Sequence, residues 1–113
     1  RLGVFSFTKT GLYIISAHTS GYINNESRYI GTQIVFTNDN STYNDEMAVA
    51  YDGISGDTSD FYWANITATF IADITATTNQ KCKMSIEADA KPVFQGSSIM
   101  NYTYMMFERL GDT

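Results

Sequence analysis

The chain has 113 residues, 43% apolar and 14% aromatic, with seven basic against twelve acidic side chains and a net charge of −5. That length fits one domain over residues 1–113, and the apolar content argues against disorder. The charge is wrong for nucleic acid or an anionic membrane surface, and no apolar run approaches the roughly 18 residues of a membrane-spanning helix. Cys82 is the only cysteine, so no disulfide can close within the chain and packing must hold the fold.

The chain opens on Arg1 with no charged-then-apolar leader after it. It is read as a fragment, a processed product or the ordered part of something longer. Leu2 to Phe7 reads as strand. Thr10-Gly11 then opens a strand over Leu12 to Thr19, with Leu12 and Ile14 on one face and Tyr13, Ile15 and Ala17 on the other. Apolar residues on both faces predict a strand covered on both sides. Tyr29 to Thr37 is similar, with Ile30, Ile34 and Phe36 set against Tyr29 and Val35. It stops at the turn-forming Asn38-Asp39-Asn40-Ser41. Met47 to Tyr51 is a shorter strand, and Asp52 to Asp57 reads as a loop.

Tyr62 to Ile74 carries the clearest pattern. Tyr62, Ala64, Ile66, Ala68, Phe70, Ala72 and Ile74 alternate with Trp63, Asn65, Thr67, Thr69, Ile71 and Asp73. Alternate side chains on a strand point to opposite faces, so one face is buried and the other mainly polar. After a polar turn at Ala76 to Gln80, Cys82, Met84, Ile86 and Ala88 alternate with Lys81, Lys83, Ser85 and Glu87. The two segments read as consecutive antiparallel strands. The last strand spans Ile99 to Leu110, with Met100, Tyr102, Tyr104 and Met106 on one face and Ile99, Met105 and Phe107 on the other. Several short strands between turns predict an all-β antiparallel sandwich or barrel. A sandwich needs only one buried face per sheet, so a second apolar face predicts burial against another subunit or, more plainly, under a layer of loops.

In their order and spacing these segments resemble the complement 1q and tumour necrosis factor superfamily. Val4 to Ala17, with Phe5 and Phe7 ahead of Gly11-Leu12-Tyr13, resembles its early Phe-strand and Gly-x-Tyr signature. Thr32 to Asn38, Ala64 to Ile74, Lys81 to Ile86 and Tyr102 to Leu110 look like its later strands. The resemblance implies a jelly-roll that assembles as a threefold trimer around the sheet holding the Gly-x-Tyr and closing strands. It puts Leu12, Ile14, His18, Met100, Tyr102, Tyr104 and Met106 at the interface. Two departures stand out: the family's first strands are missing ahead of Arg1, and Met105 and Met106 occupy positions where the family often has glycine.

The candidate chemistry is sparse. His18, the single histidine, would have to serve any Ser-His-Asp triad, yet no Gly-x-Ser-x-Gly elbow is present, so packing or an interface is the expectation. Cys82 falls on the apolar face of its strand and reads as an inert core thiol; with one cysteine and one histidine, zinc within one chain is not expected. Asp39, Asp45, Glu46, Asp52, Asp57 and Asp60 gather in loops that suit calcium, without EF-hand spacing. No cofactor is expected. The Asn-x-Ser/Thr triplets at Asn25, Asn40, Asn65 and Asn101 read as incidental in a chain this rich in Asn, Ser and Thr. Phe61 and Trp63, beside Asp57 and Asp60, form a candidate ligand-binding loop edge, because exposed aromatics stack on sugars or anchor partners.

The leading expectation is therefore a non-enzymatic trimeric head on a virion surface, such as a bacteriophage tail-fibre tip, spike or capsid decoration. Its partners would be two copies of itself and other virion proteins or a host receptor or glycan. The alternatives are a secreted receptor ligand or pattern-recognition head and a polysaccharide-active enzyme.

Overall fold

The computed structural model describes residues 3–23, 27–54, 60, 62–89, 92–94 and 103–112. Those residues form strands β1 (Phe5–Ser6), β2 (Gly11–Ile23), β3 (Ser27–Thr37), β4 (Asp45–Ile54), β5 (Tyr62–Ile74), β6 (Lys81–Ala88), β7 (Val93–Phe94) and β8 (Tyr104–Gly111), with no helix among them. All pairings are antiparallel. One sheet, here sheet A, has the order β1-β6-β3-β4. In the other, sheet B, β2 is central, flanked by β5 on one side and by β7 and β8 on the other. The chain is all-β, with an architecture consistent with a sandwich.

The alternation read from β5 is realised residue by residue. Ala64, Ile66, Ala68, Ala72 and Ile74 are buried, while Trp63, Asn65, Thr67, Thr69, Ile71 and Asp73 are exposed. Facing them across the sandwich are Ile30, Ile34 and Phe36 of β3, with Tyr13, Ile15 and Ala17 of β2 beside them. Fully burying each of Ile15, Ile30, Ile34 and Ile74 contributes roughly 1.5–3 kcal/mol, beside the buried rings of Phe7, Tyr13 and Phe36. The core divides into a larger cluster around Ile15, Ile34 and Ile74 and a smaller one around Ile30, Ile54 and Ile66. Thr19 and Thr32 are fully buried near the divide, and their hydroxyls have no partner among the described residues.

The Phe…Gly-x-Tyr segment has a physical basis. Phe7 packs on Tyr13 at 4.9 Å between ring centroids and on Phe107 of β8 at 6.0 Å, which ties the start of the chain to sheet B. The Tyr13 hydroxyl donates to the Lys9 carbonyl at 2.7 Å and closes the turn between β1 and β2. Gly11 has φ 151°, and a Cβ there would meet the Gly111 carbonyl oxygen and the Arg109 guanidinium. The close approach of β2 and β8 therefore requires glycine at this position. Arg109 then donates to the Thr10 carbonyl from both Nε and Nη2, at 3.1 and 2.9 Å.

Several features differ from those read in the sequence. β5 and β6, read as consecutive antiparallel strands, lie in different sheets. β3 and β4 each start two residues earlier than expected, at Ser27 and Asp45. The last strand, expected from Ile99, begins at Tyr104 after a bend at Thr103, with 99–102 outside the described residues. The first strand is only Phe5–Ser6 where Leu2 to Phe7 was expected. β2 continues past Thr19 to Ile23, because Ser20 to Ile23 stay paired with Asn65 to Tyr62 of β5. Asp52 to Ile54, expected as loop, continues β4 against β3, and Ile54 is buried in the smaller cluster. Long-range pairing and one core anchor outweigh the turn preference of Asp-Gly there. β7, a two-residue strand paired to Gly21 and Tyr22, was not anticipated.

Candidate functional site

Strand register brings the expected interface residues onto one surface, the outer face of sheet B. Side chains of directly paired residues share a face. Leu12 lies opposite Asp73, Ile14 opposite Ile71 and Glu108, Ser16 opposite Thr69 and Met106, and His18 opposite Thr67 and Tyr104. Of the residues expected at a subunit interface, Leu12, Ile14, His18, Tyr104 and Met106 thus fall together, while Met100 and Tyr102 lie outside the described residues. Leu12, Ile14, His18 and Tyr104 are half-buried; Met106 is 50% exposed and Ile71 60%. In the single chain no third layer covers this face among the described residues.

The surface is banded. Leu12, Ile14, Ile71 and Met106 form an apolar cluster edged by the exposed carboxylates Asp73 and Glu108, and a polar row follows, where Ser16 Oγ and Thr69 Oγ1 are 3.2 Å apart and His18 Nδ1 and Thr67 Oγ1 are 2.7 Å apart. The His18 imidazole stacks on Tyr104 at 5.1 Å and 23°. His18 is therefore positioned by a hydroxyl and a ring, which suits packing, and among the described residues no carboxylate orients it as a triad requires. Beyond it comes an aromatic band, where Tyr22 and Trp63 meet at 4.6 Å with Val93 alongside.

Trp63 belongs to this same surface. The sequence placed it at a ligand-binding loop edge with Phe61, Asp57 and Asp60; as the second residue of β5 it lies opposite Tyr22 on the outer face of sheet B. Asp60 is exposed at the approach to β5, and Phe61 and Asp57 lie outside the described residues. Sequence reasoning missed Ile71, Tyr22 and Val93 as members of the face. Ile71 was visible as the apolar exception on the polar side of β5, but the partners of Tyr22 and Val93 depend on register, which no local pattern specifies.

The remaining candidates are placed as follows. Cys82 is fully buried opposite Phe5 and Phe36, and burial pushes its thiol up to about 12, so it is protonated and inert. Asp39 is saturated by its own turn. The backbone N–H of Thr42, the Thr37 hydroxyl and the backbone N–H of Ser41 all donate to its carboxylate, at 2.7, 2.8 and 2.9 Å, and hold it well below the usual carboxylate range. Asp45 accepts from Asn38 Nδ2 at 3.0 Å. Asp52 accepts from the Gly53 N–H at 2.8 Å. Among the described residues no three His, Cys, Asp or Glu side chains converge as metal ligands.

The side of the sandwich between β6 and β8 is also open. Past Cys82, β6 pairs only with β3 among the described residues. Gly3, Phe5, Met84, Ile86, Tyr104 and Met105 line an apolar cavity of about 390 Å³ there.

No protein-family model matches the chain, and a search of curated proteins finds none similar to it.

Proposed function

We propose that the domain is a non-enzymatic jelly-roll head of the complement 1q and tumour necrosis factor type, assembled as a trimer through the outer face of sheet B and carried on a virion surface. The chain crosses between the two antiparallel sheets at every connection except β3–β4 and β7–β8, a winding compatible with a Greek-key jelly-roll. The Gly-x-Tyr strand and the closing strand are neighbours in one sheet, as the resemblance implies. A virion setting suits a chain rich in Asn, Thr and Tyr that has one cysteine and must rely on packing and assembly for stability. Three copies would engage a host receptor, a glycan or a neighbouring virion protein by avidity, with no covalent chemistry.

The observation that carries the proposal is the exposure of Ile71 and Met106 beside half-buried Leu12, Ile14 and Tyr104 on one sheet face. The polar band through Ser16, His18, Thr67 and Thr69 would fix the register between copies. Sedimentation equilibrium at about micromolar concentration tests it. The wild type is expected at three times the chain mass and Ile71→Lys at the chain mass; a monomeric wild type overturns the proposal. Ile71 is so exposed that the substitution should change the stability of the lone chain by less than about 0.5 kcal/mol.

A further inference from the structure

The outer face of sheet A holds a second constellation, which no reading of the sequence singled out. β3 runs between β4 and β6, and Gly31 is paired with Tyr51 on one side and Glu87 on the other. One row along, Gln33 shares their face. Gln33 is only 5% exposed, and its Nε2 donates to Glu87 Oε1 and makes a longer, 3.4 Å contact with the Tyr51 hydroxyl. Tyr29 meets Tyr51 nearly at right angles, 86° with ring centroids 5.7 Å apart. Tyr29, Tyr51 and Glu87 line a hollow of about 380 Å³.

A purely structural role accounts for part of this. The Tyr51 ring lies over Gly31, where an added Cβ would come within 2.5 Å of it, and an aromatic side chain laid across a strand glycine shields the backbone beneath. Shielding, however, needs neither the second ring nor the carboxylate. It also does not need a buried glutamine whose amide is directed to Glu87 and Tyr51.

We propose that this hollow is a binding site for a neutral hexopyranose unit of a glycan. Tyr51 is 53% exposed and offers a flat aromatic surface for the C–H face of a sugar ring. Glu87 Oε2 has no hydrogen-bond partner among the described residues and accepts from sugar hydroxyls. Gln33 fixes both groups before the ligand arrives, which lowers the entropy lost on binding. The hollow is shallow and open, so it fits one ring of a chain that continues past it rather than an enclosed small molecule. A caged ammonium ion would use the same rings and carboxylate, but it needs walls on more sides than two perpendicular rings supply. The site faces away from sheet B and does not depend on assembly, so monomer and trimer both serve to test it.

The test is a 15N-HSQC titration of the folded domain with cello-, galacto- and manno-hexaoses, and separately with tetramethylammonium chloride. At least one hexaose is expected to shift the amides of Tyr29, Gly31, Gln33, Tyr51 and Glu87 together, with an apparent Kd of about millimolar. Tyr51→Ala and Glu87→Gln should each weaken that binding by about tenfold. Gly31→Ala removes no contacting group, but its methyl would lift the Tyr51 ring, and a similar loss with an otherwise unchanged spectrum is expected. No shift with any hexaose, shifts with tetramethylammonium alone, or binding that survives Tyr51→Ala would each overturn the assignment.

Discussion

The two outer faces of the sandwich solve the same problem differently. In each, a central strand presents side chains away from the core. On sheet A, β3 is buried on both sides from Ile30 to Thr37. Its flanking strands supply long side chains that fold over it: Tyr51 over Gly31, Glu87 onto Gln33 and, further along, Lys83 reaching 4.5 Å from the Tyr43 ring centroid. On sheet B, the neighbour β5 presents short side chains, Asn65, Thr67 and Thr69, and the exposed Ile71. These leave the β5 side of β2 uncovered, while from β8 Tyr104 stacks on His18, and Ile14 and His18 are half-buried. An apolar residue on the second face of a strand therefore does not by itself require a third layer. On sheet A the exposed Met47, Val49 and Tyr51 lie on β4 and leave β3 sealed, whereas on sheet B the exposed Ile71 and Met106 lie beside a central strand whose Leu12 and Ile14 are themselves only half-buried.

The largest effect that sharpens this contrast lies at the seam of sheet B. Gly11→Ala would drive a methyl into the Gly111 carbonyl at a φ that L-residues rarely adopt. A loss of about 1–3 kcal/mol in urea-measured unfolding free energy is expected, as β2 and β8 separate locally.

A second pair of substitutions attacks the comparison itself. In an Ile71→Lys background, Val35→Ala on sheet A should cost about 1–2 kcal/mol, whereas Ile14→Ala on sheet B should cost less than about 1 kcal/mol, although it removes more carbon. Val35 is sealed by its own sheet and Ile14 is not. The reverse order, read from denaturant midpoints, would mean that β3 is not closed by its neighbours.

The smallest expected effect concerns the turn beyond β3. Asp39 is held well below its usual range, so its contribution is present above the roughly pH 4 at which an unfolded aspartate titrates and is lost as the pH falls through the folded value. Asp39→Asn keeps an oxygen acceptor for Ser41 and Thr42 and removes the charge. The acid-side decline in stability should therefore be shallower in the variant, as measured by thermal unfolding over about pH 5 to 2.

Much of this was legible in the sequence where one strand carries its own pattern. The two faces of β5, the apolar face of β6 and the turns at 38–41 and 76–80 follow from alternation and turn chemistry alone. The turns dock on each other through Asn40 N–H to the Asn79 carbonyl at 3.0 Å and Gln80 Nε2 to Asn38 at 3.2 Å. What stayed hidden depends on register between strands distant in the chain. That Trp63, read as a loop-edge aromatic, meets Tyr22 some forty residues away depends on such register. Tyr51, Glu87 and Gln33 are unremarkable in three separate strands and become a constellation only when β4, β3 and β6 align at Gly31. Likewise, the apolar residues of β3 and β2 look alike in sequence, yet differ in exposure once their neighbours are in register.

Two methionines report on the central claim directly. Met106 on sheet B and Met47 on β4 are comparably exposed in the single chain, at 50% and 41%. Brief peroxide treatment of the folded wild type, with each methionine sulfoxide quantified by mass spectrometry, compares them within one molecule. If sheet B is the face at which copies meet, Met47 oxidises readily and Met106 is protected, and the protection disappears in Ile71→Lys. Equal oxidation of the two in the wild type at about micromolar concentration would contradict the account.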